Sequence, residues 1–146
     1  MKLIFLDIDG VMNSGFSKRS DKHFSLAFDD NAVTNLKQIL ERTGAMIVVS
    51  STWRLGEAIK SLKEDIFIHY GLDKYIVGVT PYYQETIRGL EIADYLAHQH
   101  NQVIESFVIL DDDTDMGSFT DRLVKTNAIY GLTVTDSMNA IRLLNE

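Results

Sequence analysis

The chain contains no cysteine. Disulfides, thiolate metal sites and cysteine catalysis are therefore excluded, and the composition fits a reducing compartment. Proline occurs once, at Pro81, and no low-complexity tract, internal repeat or linker interrupts the chain. Positive charge is also short. Fourteen Lys and Arg stand against 21 Asp and Glu, for a formal net charge of −7. Such a field repels phosphate backbones and anionic lipid, so a general nucleic-acid or membrane-surface binder is disfavoured. No apolar run approaches the about 20 residues that a membrane-spanning helix needs. The first carboxylate, Asp7, comes too early for a secretory signal, so a cytoplasmic location is expected.

What is present suits a packed enzyme core. Hydrophobic residues make up 45% of 146 positions, enough for one compact domain spanning 1–146. Residues 2–6, 45–49, 106–110 and 123–126 are short apolar runs that read as buried strands, and 75–79 adds a β-branched one. Between them lie helical patterns. Asp29 or Asp30 is placed to cap a helix carrying Val33, Leu36, Ile39 and Leu40, which Gly44 ends. Residues 55–63 read as a short helix. Residues 85–100 form an amphipathic one with Ile87, Leu90, Ala93, Leu96 and Ala97 on its apolar face. Residues 115–121 read as a short helix or turn, with Asp115 placed to cap it or to stand behind a metal. Asp136 or Ser137 is placed to cap a last helix with Met138, Ile141 and Leu144 inward. Residues 13–25 read as a polar loop. This alternation predicts an α/β fold: a doubly wound parallel sheet of about five strands with helices on both faces.

In such sheets a site forms at the carboxyl ends of the strands, where the strand order reverses. The polar residues fall there. The first strand runs into Asp7-Ile8-Asp9-Gly10, the second into Ser50-Ser51-Thr52-Trp53-Arg54, and the fourth into Asp111-Asp112-Asp113. An isolated Asp-x-Asp reads as a cap or a solvated turn; two acidic clusters, each after a buried strand, do not. Calcium loops are excluded, because the twelfth position from Asp7 is Lys18 and that from Asp111 is Arg122, neither a glutamate. Trp53, Tyr82 and Tyr83 read as packing residues, and Lys18 and Arg19 as solvated loop charges within reach of a substrate. His23, His69, His98 and His100 follow no metal-ligand spacing.

These motifs resemble those of the haloacid-dehalogenase (HAD) superfamily. Asp7-x-Asp9-Gly10-Val11 matches its first motif and Ser50 its second. Arg88 is a candidate for the basic third, and Asp111-Asp112 matches the acidic fourth. The resemblance spans residues 4–115 in motif order. The pattern Ser50-Ser51-Thr52-Trp53-Arg54 with Leu110-Asp111-Asp112-Asp113 is further similar to a small capless subgroup. That subgroup includes the HAD domain of Swiss Army Knife RNA repair proteins.

The resemblance implies a Mg²⁺-dependent phosphohydrolase. Asp7 would attack phosphorus, and Asp9 would protonate the leaving oxygen and then activate water. Asp7, Asp9 through its carbonyl, and Asp111 or Asp112 would hold Mg²⁺. Ser50, Gly10, Ser51 and Arg54 would contact phosphate oxygens, and Arg88 would offset transition-state charge. The family usually has lysine at the third motif, which leaves Lys60, Lys63 and Lys125 as competitors for the basic role. The short gaps after the first and third strands leave no room for a large cap domain. An open site suits a phosphorylated small molecule or a nucleic-acid end. Two alternatives stand beside the phosphatase. A phosphoacceptor switch would place its acceptor Asp after the third strand, where Thr80-Pro81 stands instead. A non-catalytic HAD-fold binding module would have no need of both Asp7 and Asp9. Substrate identity and oligomeric state are not legible.

Overall fold

A computed structural model of the chain describes residues 1–55, 58–98 and 101–146. His100 and parts of two expected helices (56–57 and 99–100) lie outside the described residues. Strands β1 (Lys2–Leu6), β2 (Met46–Val49), β3 (Ile76–Val79), β4 (Ser106–Asp111) and β5 (Leu123–Lys125) form one parallel sheet in the order β3-β2-β1-β4-β5. The expected five-stranded α/β fold is the observed one, and the described residues hold no large cap.

Side-chain alternation divides each central strand between two cores. Ile4, Leu6, Ile47, Val49, Val108 and Leu110 pack on one face against helices α1 (Asp30–Thr43) and α3 (Val134–Asn145). Leu3, Phe5, Val48 and Ile109 pack on the other, against Ile92 of helix α2 (Arg88–Ala97) and Met116. Phe5 meets Tyr95 and Phe107 edge-on, each at 5.7 Å between centroids. Each fully buried Leu, Ile or Phe contributes about 1.5–3 kcal/mol. Central strands buried on both faces are the reason the sequence shows continuous apolar runs there rather than alternation.

Helix boundaries differ from the sequence expectation where side chains found other partners. Asp29 is the cap residue of α1, but its carboxylate makes no capping bond. It accepts instead from Ser17 Oγ at 2.5 Å, which pins the loop after β1. The cap of α3 is Thr133, with Asp136 as its reciprocal partner in a capping box. The buried face of α3 is then Ser137, Ala140 and Leu144, which turns Met138 outward at 62% exposure. In α2 the buried residues are Gly89, Glu91 and Ile92, whereas Leu90 is exposed. That helix is oriented by a buried ion pair of Glu91 and by the close approach of Gly89 to a loop, which apolar periodicity does not register. Between β2 and β3 the helical segment begins at Ile59 and widens at Leu62–Ile66 before a tight turn at Phe67–Tyr70. Gly117–Arg122 is a run of tight turns. No helix among the described residues is long and apolar enough to cross a membrane.

Candidate active site

The winding of the chain puts the reversal of strand order beside β1. The path β1-β2-β3 moves outward on one side of it, and β4 and β5 lie on the other. The ladder then continues one residue beyond the strands. Thr80 N donates to Val49 O (3.0 Å), Ser50 N to Leu6 O (2.8 Å), Asp7 N to Leu110 O (3.0 Å) and Thr126 N to Asp111 O (2.9 Å). Thr80, Ser50, Asp7, Asp111 and Thr126 thus form one polar row across the carboxyl edge of the sheet. The backbone hydrogen bonds of the sheet itself set their spacing.

At the centre of the row, Asp7, Asp111 and Asp112 each offer a carboxylate oxygen within 4.8 Å of the others. Burial is the main reason the Asp7 carboxyl is pushed from 3.8 up to about 8, and the neighbouring Asp111 adds to it while Arg88 opposes. Asp111 is raised to about 6, again chiefly by burial. The Asp7 carboxyl therefore holds its proton at neutral pH in the metal-free cluster. Three hard oxygen donors with a shortage of positive charge fit a divalent cation of the Mg²⁺ type.

The cation already present is Arg88. Its Nη1 lies 3.5 Å from Asp111 Oδ2 and 4.0 Å from Asp7 Oδ1, and it donates to Ser50 Oγ at 3.3 Å. Two features put it there. A Cβ on Gly89 would lie 2.1 Å from Met116 O, so glycine alone lets α2 start against the loop that follows β4. Asp115 then accepts from the backbone N–H of Arg88 at 3.2 Å, and its own carbonyl accepts from Gly89 N at 3.0 Å. Asp115 therefore serves the start of the preceding helix rather than the turn that follows it, where negative charge is favoured by the helix dipole.

Glu91, buried one turn along, accepts from Arg54 Nη2 at 2.9 Å and lies 3.5 Å from Arg88 Nε. Its second oxygen accepts from Tyr83 N at 2.9 Å. Charges alternate inward from Arg54 through Glu91 and Arg88 to the acidic cluster. Arg54 itself is buried. It donates to the carbonyls of Thr80, Ser51 and Pro81 as well as to Glu91. Burial, and then the neighbouring Arg88, lower its pKa from the ordinary arginine value. Sequence offered Arg54 as a phosphate ligand; the fold commits its guanidinium to bracing the ends of β2 and β3. Ser51 is likewise buried, its Oγ accepting from Trp53 N at 3.2 Å.

Asp9 stands apart from the cluster and is exposed. Its two oxygens have separate partners, Asn13 Nδ2 at 2.9 Å and Trp53 Nε1 at 3.0 Å. The turn after it needs glycine twice over. Gly10 has φ of +83°, and a Cβ there would lie 2.5 Å from Asp112 Oδ2. Gly10 N donates to Asn13 Oδ1 at 3.0 Å, and Gly10 O accepts from Thr126 Oγ1 at 2.7 Å. Its N–H is thereby committed to Asn13, although sequence grouped Gly10 with phosphate ligands.

Sequence reading missed Asn13, Glu91, Thr126 and the indole N–H of Trp53. Three are polar residues buried without an obvious reason, and Glu91 in an apolar stretch of α2 was the one legible signal. Trp53 does pack, with Phe24 at 5.1 Å and Phe28 at 6.0 Å, but it also reaches the site. Lys125 is exposed at the end of β5, and Lys60 and Lys63 line a separate depression with Ile59, Glu64 and Asp73. Among the basic candidates, Arg88 is the one in ion-pair contact with the cluster.

Comparison with curated proteins and with solved structures gave no match. Residues 3–137 match the family described as the HAD domain in Swiss Army Knife RNA repair proteins. That span takes in the sheet from Leu3 onward and every residue of the polar row, and the family points to a phosphohydrolase-type function. With Asp7, Ser50, Arg88 and Asp111 meeting at the switch point of its sheet, the chain belongs to the HAD domain family of Swiss Army Knife RNA repair proteins.

Proposed function

We propose that this chain is a Mg²⁺-dependent phosphomonoesterase that works through an aspartyl phosphate, on a nucleotide or a nucleic-acid end. The observation that carries the reading is the meeting of Asp7, Asp111 and Asp112 with the guanidinium of Arg88 at the switch point. Mg²⁺, when bound by Asp7, Asp111 and Asp112, supplies the positive charge this cluster lacks and draws the phosphoryl oxygens toward it.

The residues divide the work as follows. A carboxylate oxygen of Asp7 forms a bond to phosphorus as the bond from phosphorus to the ester oxygen breaks. Arg88, held by Glu91 and Asp115, offsets charge on the phosphoryl oxygens, and the Ser50 hydroxyl stands beside it as a donor. Asp9 delivers a proton to the departing oxygen, then takes one from the water that cleaves the aspartyl phosphate. Each Asp9 oxygen already accepts one hydrogen bond and keeps a lone pair for that proton. Asn13 and Trp53 position Asp9. Arg54 acts through Glu91 as a brace. The whole chain works as one domain without a large cap, so the rim loops alone border the substrate.

The test is phosphate release from 3′- and 5′-phosphorylated oligonucleotides, mononucleotides and para-nitrophenyl phosphate, with Mg²⁺ and with EDTA. Turnover that needs the metal and vanishes in Asp7→Asn supports the enzyme. A folded, metal-binding protein that turns over none of them sinks it. Slow labelling without release would favour the phosphoacceptor switch.

A further inference from the structure

Two large aromatic side chains stand in water at the rim. Phe16, on the loop after β1, is 75% exposed, and Tyr130, on the loop after β5, is 64% exposed. Their ring centroids are 6.4 Å apart with planes inclined by 35°, so neither ring covers the other. Their backbones, by contrast, are tightly held. Gly15 N donates to Ala128 O (3.1 Å) and Ile129 O (3.2 Å). Phe16 N donates to Ser14 Oγ at 3.2 Å, and Ile129 N to Asn127 Oδ1 at 2.8 Å. Two loops fixed this firmly would bury their aromatic rings if packing were the purpose. Here the frame is rigid and the ring faces are left open, which is the arrangement of a preorganised contact surface.

The surface is tied to the catalytic turn. Thr126 holds Gly10 O, Leu132 N donates to Val11 O at 2.8 Å, and Asn13 holds Asp9. Phe16 is three residues beyond Asn13, so the loop that orients Asp9 is the one that carries the ring. Two and three residues after Phe16 come Lys18 and Arg19, both exposed and without an ion pair among the described residues. On a chain of net charge −7, two uncommitted cations next to two open rings match a ligand that is planar and anionic at once.

We infer that Phe16 and Tyr130 are the specificity-determining residues of this site, stacking on the base next to the phosphate bound at Asp7, with Lys18 and Arg19 meeting a neighbouring phosphate. The inference rests on the phosphatase reading for the position of that phosphate. The strong net negative charge limits the contact to a mononucleotide or the last few nucleotides of a strand.

The experiment compares wild type, Phe16→Ala, Tyr130→Ala and the double variant. Each is assayed on adenosine 3′- and 5′-monophosphate and on ribose 5-phosphate, which carries no base. The expected result is a KM for the nucleotide raised about tenfold or more by losing a ring, with the ratio of kcat/KM for nucleotide over ribose 5-phosphate collapsing toward one. Unchanged ratios in the double variant overturn the inference while leaving the phosphatase intact. So does conversion of an oligomer to a monomer with no change in the ratio, which would make the rings a protein interface. If wild type hydrolyses none of the three, binding of the fluorescent etheno derivative of adenosine monophosphate decides separately. Binding lost in the double variant keeps the stacking site, and equal binding removes it.

Discussion

The indole N–H of Trp53 donates to Asp9 Oδ2 at 3.0 Å, across 44 residues of sequence. The indole is held in turn by aromatic residues of the loop after β1 and by those below it. Phe28 lies 6.0 Å from Trp53 and stacks on Tyr70 at 4.3 Å, and Tyr70 Oη meets His23 Nε2 at 2.6 Å. The orientation of the proposed acid/base is therefore set by an aromatic cluster rather than by its own turn alone. Trp53→Phe keeps the packing and deletes the donor. We expect kcat to fall by about tenfold, with a smaller change in KM and a thermal midpoint near that of wild type. Steady-state kinetics beside a melting curve checks this; an unaltered kcat removes Trp53 from the site.

The raised carboxyls give a pH dependence opposite to that of a salt-bridged aspartate. Asp7 titrates near 8 and Asp111 near 6 in the folded, metal-free protein, against an ordinary 3.8. Between about pH 4 and pH 8 the folded state thus binds more protons than the unfolded chain, and stability falls as pH rises through that window. With EDTA present, the thermal midpoint should be lower at pH 8 than at pH 5.5 by on the order of 5 °C. Asp7→Asn should flatten most of that difference. A wild-type midpoint that rises steadily over the same range contradicts the assignment.

Metal addition should act on the same charge. As pH rises through 8 the Asp7 carboxyl loses its proton beside Asp111, so Mg²⁺ would stabilise the folded state by mass action. A Mg²⁺ titration followed by melting temperature should raise the midpoint in wild type. It should do little in a variant carrying both Asp111→Asn and Asp112→Asn. Equal shifts in both proteins would place the ion elsewhere.

Gly89 offers a test of how Arg88 is placed. A methyl at this position would meet Met116 O at 2.1 Å, a backbone atom that cannot swing aside. Gly89→Ala should cost about 1–3 kcal/mol and move the start of α2 away from the cluster. Activity should fall further than in Gly44→Ala, where the added methyl meets no atom within 4 Å and the cost is only that of the left-handed φ of +70°, far from the site. Denaturant unfolding and kcat/KM on the two variants separate strain at the site from a general loss of stability.

The buried pair of Arg54 and Glu91 should behave as a brace. Arg54→Ala leaves Glu91 buried beside Arg88 without its main partner, and a loss of about 3–5 kcal/mol is expected. Arg88→Ala, at a site open enough for water to reach, should cost activity more than stability. Chemical denaturation of both variants tells them apart, and a stable but inactive Arg54→Ala would instead make Arg54 a substrate contact.

Local chemistry was enough to make the fold and the principal carboxylates legible. Apolar runs 2–6, 46–49 and 106–110 are too short for helices and too continuous for half-exposed strands, and each passes directly into the polar residues of the rim. The cap of α3 was misplaced in the sequence, which offered Asp136 or Ser137; Thr133 is the cap and Asp136 its reciprocal partner, a bond that only the folded turn shows. The facing of α2 was not readable, since a buried glutamate and a glycine set it against the apolar stripe.

The sequence by itself determined that Asp7, Asp9, Ser50 and Asp111 would lie at the carboxyl ends of parallel strands, because each closely follows its apolar run and the alternation with helices makes the runs parallel. The tertiary structure alone decided which side chains complete them. Arg88 rather than a lysine meets the cluster because Gly89 and Asp115 let α2 begin there. Arg54 is turned inward because Glu91 neutralises it where both side chains are buried. Trp53 reaches Asp9 because the aromatic cluster holds its ring. Each is a contact between segments far apart in the chain, whose free energy exists only once the sheet has brought them together.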